Sequence, residues 1–484
     1  MMNRIRTLLT VTAILLSTST ANAAEAADSV AVKKPNVLFL FADDQSFETI
    51  GSLGQTDIET PNLDRLARRG TTFTHAYNMG SWSGAVCVAS RTMLITRLSL
   101  RRAGAIYDAT DKERQAGRLW PQMMTRAGYH TYFTGKWHIK TDATKVFDVA
   151  KNIRAGMPND SPQGYNRPLE GEPDLWSPSD PSRGGFWEGG KHWSEVVADD
   201  AIEYLRGARQ QKKPFFIYAA FNAPHDPRQS PQPYVDKYPL DRIATPANFL
   251  PLYPHKDAIG CGEGLRDERL APFPRTVQAV KTHRQEYYAI ITHMDAQIGR
   301  ILDELEASGQ ADNTWVVFTA DHGLAVGHHG LFGKQNMYDH SLRVPFLVNG
   351  PGVTAGTRID APIYLQDAMA TALEIAGATK PTQVEFQSLL PMLTGDVLPV
   401  AREPIYGGYL ELQRAVIDDG WKLILYPKAR VVRLYHVAQD ADELNDLAEH
   451  PAHVDRRGRL FAQLLGLQKK LDDSLDLTSA FPNL

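Results

Sequence analysis

Residues 35–44 read Pro-Asn-Val-Leu-Phe-Leu-Phe-Ala-Asp-Asp, an almost unbroken apolar run that stops at two acids. A strand apolar on both faces must be covered on both faces, which places it inside a parallel sheet between helical layers. Chemistry in such sheets gathers at the carboxyl ends of the strands, so Asp43 and Asp44 are marked by position alone. Further apolar runs occur at Pro214–Ala220, Thr314–Ala320 and Val344–Val348. Helical patterns separate them, notably at Arg284–Leu305 and Leu365–Ile375, and Thr60-Pro61 opens another with a threonine cap and a proline in its first turn. Strands alternating with helices predict a doubly wound α/β sheet.

With 484 residues, 43% of them hydrophobic and 22% charged, the chain can bury a large core, which excludes a disordered, collagenous or coiled-coil protein. The 52 basic and 56 acidic residues leave no broad basic face, so nucleic acid is not an expected partner. Residues 1–23 read as an export leader: Arg4 and Arg6, an apolar stretch from Leu8 to Leu16, then Ala21-Asn22-Ala23 as a small-x-small cleavage site. No run reaches the roughly 20 apolar residues that a membrane helix needs. The expectation is an exported protein, periplasmic or secreted, without a membrane span.

Residues 24–399 are read as the α/β domain and 400–484 as a smaller C-terminal subdomain. There Tyr406–Leu412 and Arg414–Tyr426 predict antiparallel strands, Asp418-Asp419-Gly420 a hairpin turn, and Asp455–Leu471 a closing amphipathic helix. Residues 141–200, rich in Pro, Gly, Ser and Asp, interrupt the α/β pattern as a long excursion. It carries Trp176, Trp187 and Trp193, which either stack on sugar rings or anchor the loop.

Asp321-His322-Gly323 follows the Thr314–Ala320 run just as Asp43-Asp44 follows the first strand. Neighbouring strand ends converge, and three carboxylates packed with an imidazole call for a divalent cation. Oxygen donors favour Ca²⁺ or Mg²⁺, while the histidine leaves Mn²⁺ or Zn²⁺ open. Cys87-Val88-Ala89-Ser90-Arg91 opens a helical stretch, and Cys261 is the only other cysteine. A Cys87–Cys261 disulfide, a buried thiol and a reactive residue are the readings open for it.

Taken in order, the opening Asn36–Asp44, the Cys87–Arg91 core, Gly135-Lys136-Trp137-His138, Ala223-Pro224-His225, Ala320-Asp321-His322-Gly323 and Gly333–Pro345 form a set that resembles the type I sulfatases. These are the formylglycine-dependent branch of the alkaline phosphatase superfamily, and the segment from Leu434 to Ala448 resembles that family's C-terminal signature. The resemblance implies an alkaline phosphatase-like fold: a large, mixed but mostly parallel sheet sandwiched by helices, with a smaller C-terminal antiparallel α+β subdomain. It implies that a formylglycine-generating maturase oxidises Cys87 to formylglycine (3-oxoalanine), whose hydrated aldehyde is the nucleophile. Asp43, Asp44, Cys87, Asp321 and His322 would hold one metal ion, Ca²⁺ ahead of Mg²⁺ or Mn²⁺. Arg91 would hold the diol, Lys136 would clamp the sulfate, and His138 would be the base that releases it. His225 and Lys334 would neutralise and protonate the leaving alkoxide.

Lys136 and His138 alternate along an extended segment, which predicts that both side chains point the same way. Export and the tryptophans favour a sulfated carbohydrate as substrate. A phosphate or phosphonate ester hydrolase, or a non-catalytic binding protein on the same scaffold, are the alternatives. Three positions depart from the family pattern. Ala89 stands where proline is usual, and His322 where many relatives have asparagine. Arg97 follows Thr96 where a glycine would end the helix. An arginine in a left-handed conformation costs energy, so a reshaped turn is expected there.

Overall fold

The computed structural model describes residues 34–159, 161–378, 383–395 and 403–484. The proposed leader and the 399/400 boundary lie outside the described residues. The main sheet is built from β1 (Asn36–Ala42), β2 (Thr71–Phe73), β3 (His130–Lys136), β4 (Val149–Arg154), β5 (Phe215–Ala220), β6 (Thr314–Ala320), β7 (Phe346–Asn349) and β8 (Thr357–Ile359). Their order is β8-β2-β7-β6-β1-β5-β3-β4. All neighbours pair in parallel except β7, which runs antiparallel to both β6 and β2. The first strand lies centrally, every residue of it buried, as its two-faced apolarity requires.

Helices α1 (Pro61–Arg69), α2 (Val86–Thr96), α3 (Trp193–Ala208), α4 (Val277–Ala307), α5 (Asp367–Ile375) and α6 (Val454–Lys470) surround the strands. The long α4 packs on α1 and α3. The mixed, mostly parallel α/β fold expected from the sequence is therefore the fold observed. Thr60 does stand at the N-cap of α1, but its hydroxyl donates to Asp64 and accepts from the Gly51 N–H instead of capping the helix.

The Val344–Val348 run is not one strand. Pro345 has no N–H to give a ladder, and the chain divides there. Arg343 and Val344 pair with Tyr77 and Ala76 in a small three-stranded sheet, and Phe346–Asn349 joins the main one.

The C-terminal part is a second sheet of β9 (Ile405–Tyr409), β10 (Gln413–Asp418), β11 (Trp421–Tyr426) and β12 (Val431–Tyr435), antiparallel throughout. Asp419 and Gly420 both have positive φ, 48° and 73°, as a two-residue hairpin turn of the primed type demands. A fifth member, Gly80–Ser81, pairs in parallel with β9. That short strand lies just upstream of Cys87, so the second sheet borrows its edge from the segment leading into α2.

The turn after α2 is not reshaped. Arg97 itself takes the left-handed position, φ 67° and ψ 8°, and its N–H bonds the Met93 carbonyl. Its guanidinium donates to the carbonyls of Thr96 and Arg118, contacts that help hold a conformation costing roughly 1–3 kcal/mol.

Candidate active site

Three parallel strand ends and one helix converge on a single point. β1 delivers Asp43 and Asp44, β6 delivers Asp321, β3 ends in Lys136, and α2 carries Cys87 as its second residue. All five are buried. The ligand atoms of Asp43, Asp44, Cys87 and Asp321 lie within 4.8 Å of one another, and those of Asp43, Cys87 and His225 form an overlapping trio. Cys87 Sγ is 3.3 Å from Asp43 Oδ1 and 3.4 Å from Asp44 Oδ1.

The backbone is held to make this convergence. Asp44 has φ 67°, its N–H donates to Asp321 Oδ1 at 3.1 Å, and its carbonyl accepts from the Tyr287 hydroxyl at 2.6 Å. The Ser46 N–H in turn donates to the Tyr287 oxygen. Asn78 donates its amide to the Asp321 carbonyl. In β3 the register slips between Thr134 and Gly135. Gly135 has φ 95°, and a Cβ there would lie 1.8 Å from the Ala220 carbonyl oxygen, so this bulge requires glycine and sets the approach of Lys136.

Three cations match the three carboxylates. Lys136 Nζ pairs with Asp43; Lys334 Nζ lies 2.7 Å from Asp44 Oδ1 and donates to Cys87 Sγ at 3.1 Å. Arg91 Nε donates to Asp321 Oδ2 at 2.8 Å and Nη1 to the Lys136 carbonyl at 2.9 Å. Burial opposes charge on Asp321, but Arg91, Lys136 and Lys334 outweigh it and its carboxyl stays far below the usual range. Asp43 and Asp44 are pushed up, by burial first and then by Asp321 beside Asp43 and despite Lys334 beside Asp44. Burial and the same carboxylates raise the Cys87 thiol well above its usual range.

Residue by residue, the expected set arrives together with differences of detail. Arg91, Lys136 and Lys334 are in the cluster. His225 Nε2 stands 3.7 Å from Asp44 Oδ2, and its Nδ1 is 2.7 Å from the Asp226 carbonyl. His138 is buried enough that its ring is held neutral, down at about 3, with Lys136 and Arg91 adding to that effect. It does not share a strand edge with Lys136: β3 ends first, and His138 turns into positive φ, 53°. His322 is buried beside the cluster, its Nδ1 3.0 Å from the Gly323 carbonyl, and the tight four-atom set forms without it. Cys87 and Cys261 are both free thiols, so the disulfide alternative falls away. Trp176 and Trp193 are buried, so both act as anchors of the excursion. Sequence reasoning missed Tyr287 and Asn78 because a tyrosine inside a long helix and an asparagine before a turn carry no local mark of their partners.

Three carboxylates and one further ligand atom at this spacing suit a hard divalent ion, which would relieve the repulsion raising Asp43 and Asp44. The family model described as Sulfatase matches residues 35–378, and that of the N-sulphoglucosamine sulphohydrolase C-terminal region matches 327–470. The chain belongs to the sulfatase family, enzymes that hydrolyse sulfuric esters. An arylsulfatase of Clostridium perfringens is 27% identical across 93% of this chain and 98% of its own. A solved structure in complex with its substrate D-glucosamine-2-N,6-O-disulfate superimposes with TM-score 0.71 at 23% identity, covering 91% of this chain and 99% of that one. The phosphonate monoester hydrolase of Agrobacterium radiobacter has the same fold, with TM-score 0.67 at 20% identity over 90% and 96% of the two chains.

Proposed function

We propose that this protein is an exported sulfatase that removes a sulfate ester from a sulfated carbohydrate. The observation that carries the reading is the buried set of Asp43, Asp44, Asp321 and residue 87, ligand atoms within 4.8 Å, ringed by Arg91, Lys136 and Lys334. The carbohydrate is supported by the matched N-sulphoglucosamine sulphohydrolase region and by the substrate of the glucosamine disulfate complex.

Asp43, Asp44, Asp321, residue 87 and His322 would hold the cation, Ca²⁺ by its preference for carboxylate oxygens. When bound, that ion would polarise a sulfate oxygen, and formylglycine at position 87 would supply the nucleophilic hydroxyl. The chain's own groups do the rest. Lys136 and Lys334 place two ammonium groups where sulfate charge develops. Arg91, anchored by Asp321 and the Lys136 carbonyl, fixes the orientation of the helix face that presents residue 87. His138, its ring kept neutral among Lys136, Arg91 and Lys334, would be the proton acceptor of the reaction. His225 presents Nε2 towards the same centre, with Lys334, to meet the departing alkoxide. Residues 1–23 would direct export, residues 400–484 would form the C-terminal subdomain, and a maturase would modify Cys87.

Mass spectrometry of the peptide containing residue 87, from protein made in its natural host, tests the reading. An aldehyde at 87, with about one divalent ion per chain and faster turnover of sulfated sugars than of matched phosphonate esters, is the expected result. An unmodified thiol in active enzyme would overturn it.

A further inference from the structure

The excursion over residues 141–200 builds a recess beside the catalytic centre. It is about 640 Å³ in volume and is lined by Asn152, Arg154, Met157, Glu188, Lys191 and Trp193. That volume lies within the roughly 300–1,000 Å³ of small-molecule sites. Strand pairing and backbone hydrogen bonds tie it to the catalytic centre. Arg154 is the last residue of the edge strand β4 and pairs in register with Lys136, the last residue of β3. The Trp137 N–H donates to the Arg154 carbonyl, and the Ala155 carbonyl accepts from Asn222. Two residues past Arg154 the chain touches the proposed base: a Cβ on Gly156 would come within 2.4 Å of the His138 ring.

Arg154 is the unspent charge of the recess. Its guanidinium lies over the Trp193 ring, Cζ 4.5 Å from the centroid. Its Nε is buried and has no hydrogen-bond partner among the described residues. Among the described residues no carboxylate comes within ion-pair distance, although Glu188 and Asp200 attract it from further off. Glu188 lines the same recess without reaching it, while Lys191 is held by Asp199. A planar cation braced on an indole, half-buried and with no ion-pair partner among the described residues, is arranged to receive a carboxylate or sulfate through two parallel N–H bonds.

We infer that this recess is a subsite for an anionic group on the sugar next to the one that is desulfated, with Arg154 as the residue that reads it. The inference rests on the proposed sulfated-carbohydrate reading and narrows it to a charged oligosaccharide. Lys136 serves the sulfate ester and its register neighbour Arg154 serves the adjoining unit.

The test uses full-length Cys87→Ala protein, so that ligands bind without being consumed. The probes are two monosulfated disaccharides that differ only in whether the neighbouring sugar carries a carboxylate, and the corresponding monosaccharide sulfate. Calorimetry is expected to show the carboxylated disaccharide binding about 10-fold or more tightly than the neutral one. Adding Arg154→Gln should erase that preference and leave the monosaccharide sulfate unchanged, while Arg154→Lys should keep part of it. Equal affinity for the two disaccharides, no affinity for either, a preference that survives Arg154→Gln, or an equal loss on all three ligands would overturn the subsite. Turnover of the monosaccharide sulfate by the unsubstituted enzyme is read separately. If it fails while the Arg154-dependent preference stands, the sulfatase-on-sugar reading is lost and the anion subsite is kept.

Discussion

Two of the places where the described residues bury several charges at once are built differently. At the strand ends, Asp43, Asp44 and Asp321 face Arg91, Lys136 and Lys334 around the side chain of residue 87. Where the second sheet meets the Gly333–Pro345 segment, Lys422 of β11 is fully buried between Asp339 and Glu443, and Arg343 lies 3.2 Å from Asp339. Both clusters balance in charge, so buried charge alone does not mark an active centre. The second cluster spends every charge on another: Glu443 also accepts from the Asp339 N–H, at 2.7 Å. It ties one element to another. The first crowds the ligand atoms of three carboxylates and a thiol onto one point. Crowding of ligand atoms, more than burial, separates a site that works from a site that holds.

The contrast predicts opposite responses. Cys87→Ala should lower sulfate release by on the order of 10⁵-fold or more, since it removes the nucleophile, while the thermal midpoint stays within a few degrees. Retained turnover would dissolve the distinction. Lys422→Met should do the reverse. It leaves Asp339 and Glu443 short of a buried counter-charge and should cost about 3–5 kcal/mol in denaturant unfolding, while kcat of the protein that remains folded changes little. Lys334→Ala should reduce kcat/KM by roughly 10²–10³-fold, the scale for losing one donor at developing charge, with a smaller effect on stability.

The smallest effect is a pH profile. Burial, with Asp339 adding and Lys422 opposing, pushes the Glu443 carboxyl from 4.5 up to about 7. The folded protein therefore holds that proton more tightly than the unfolded chain does. This contribution is fully present below pH 4.5 and is lost as pH rises through 7. Relative to Glu443→Gln, the parent should lose on the order of 3 kcal/mol of stability between those limits. Parallel profiles from the two proteins would mean that Glu443 stays ionised and the holding cluster is better solvated than its burial indicates.

Much of the site was legible from the chain alone because strand-end acids announce themselves. An apolar run of six residues, 37–42, that stops at Asp43-Asp44, and another strand that stops at Asp321, point to the same sheet edge. Local rules also located the hairpin at Asp419-Gly420 and the helix after Thr60. They failed where a distant partner overruled them. Arg97 takes a glycine's conformation while its side chain bonds carbonyls at Thr96 and Arg118. Val344 and Phe346 go to different sheets on either side of Pro345. His138 leaves the strand that Lys136 ends.

What the chain dictates by itself is which residues are chemically able: the acids after buried strands, the cysteine at a helix start, and the lysines and histidines in between. Periodicity and apolar run length act over a few residues, and those residues are adjacent in sequence. Which of them meet, and how closely, was settled only in three dimensions. Tyr287 reaches Asp44 across 243 positions, and Lys334 reaches Cys87 across 247. Arg154 stands beside Lys136 only because two parallel strands share a register. Packing brings such groups together, and no local preference encodes a contact whose partner is hundreds of residues away.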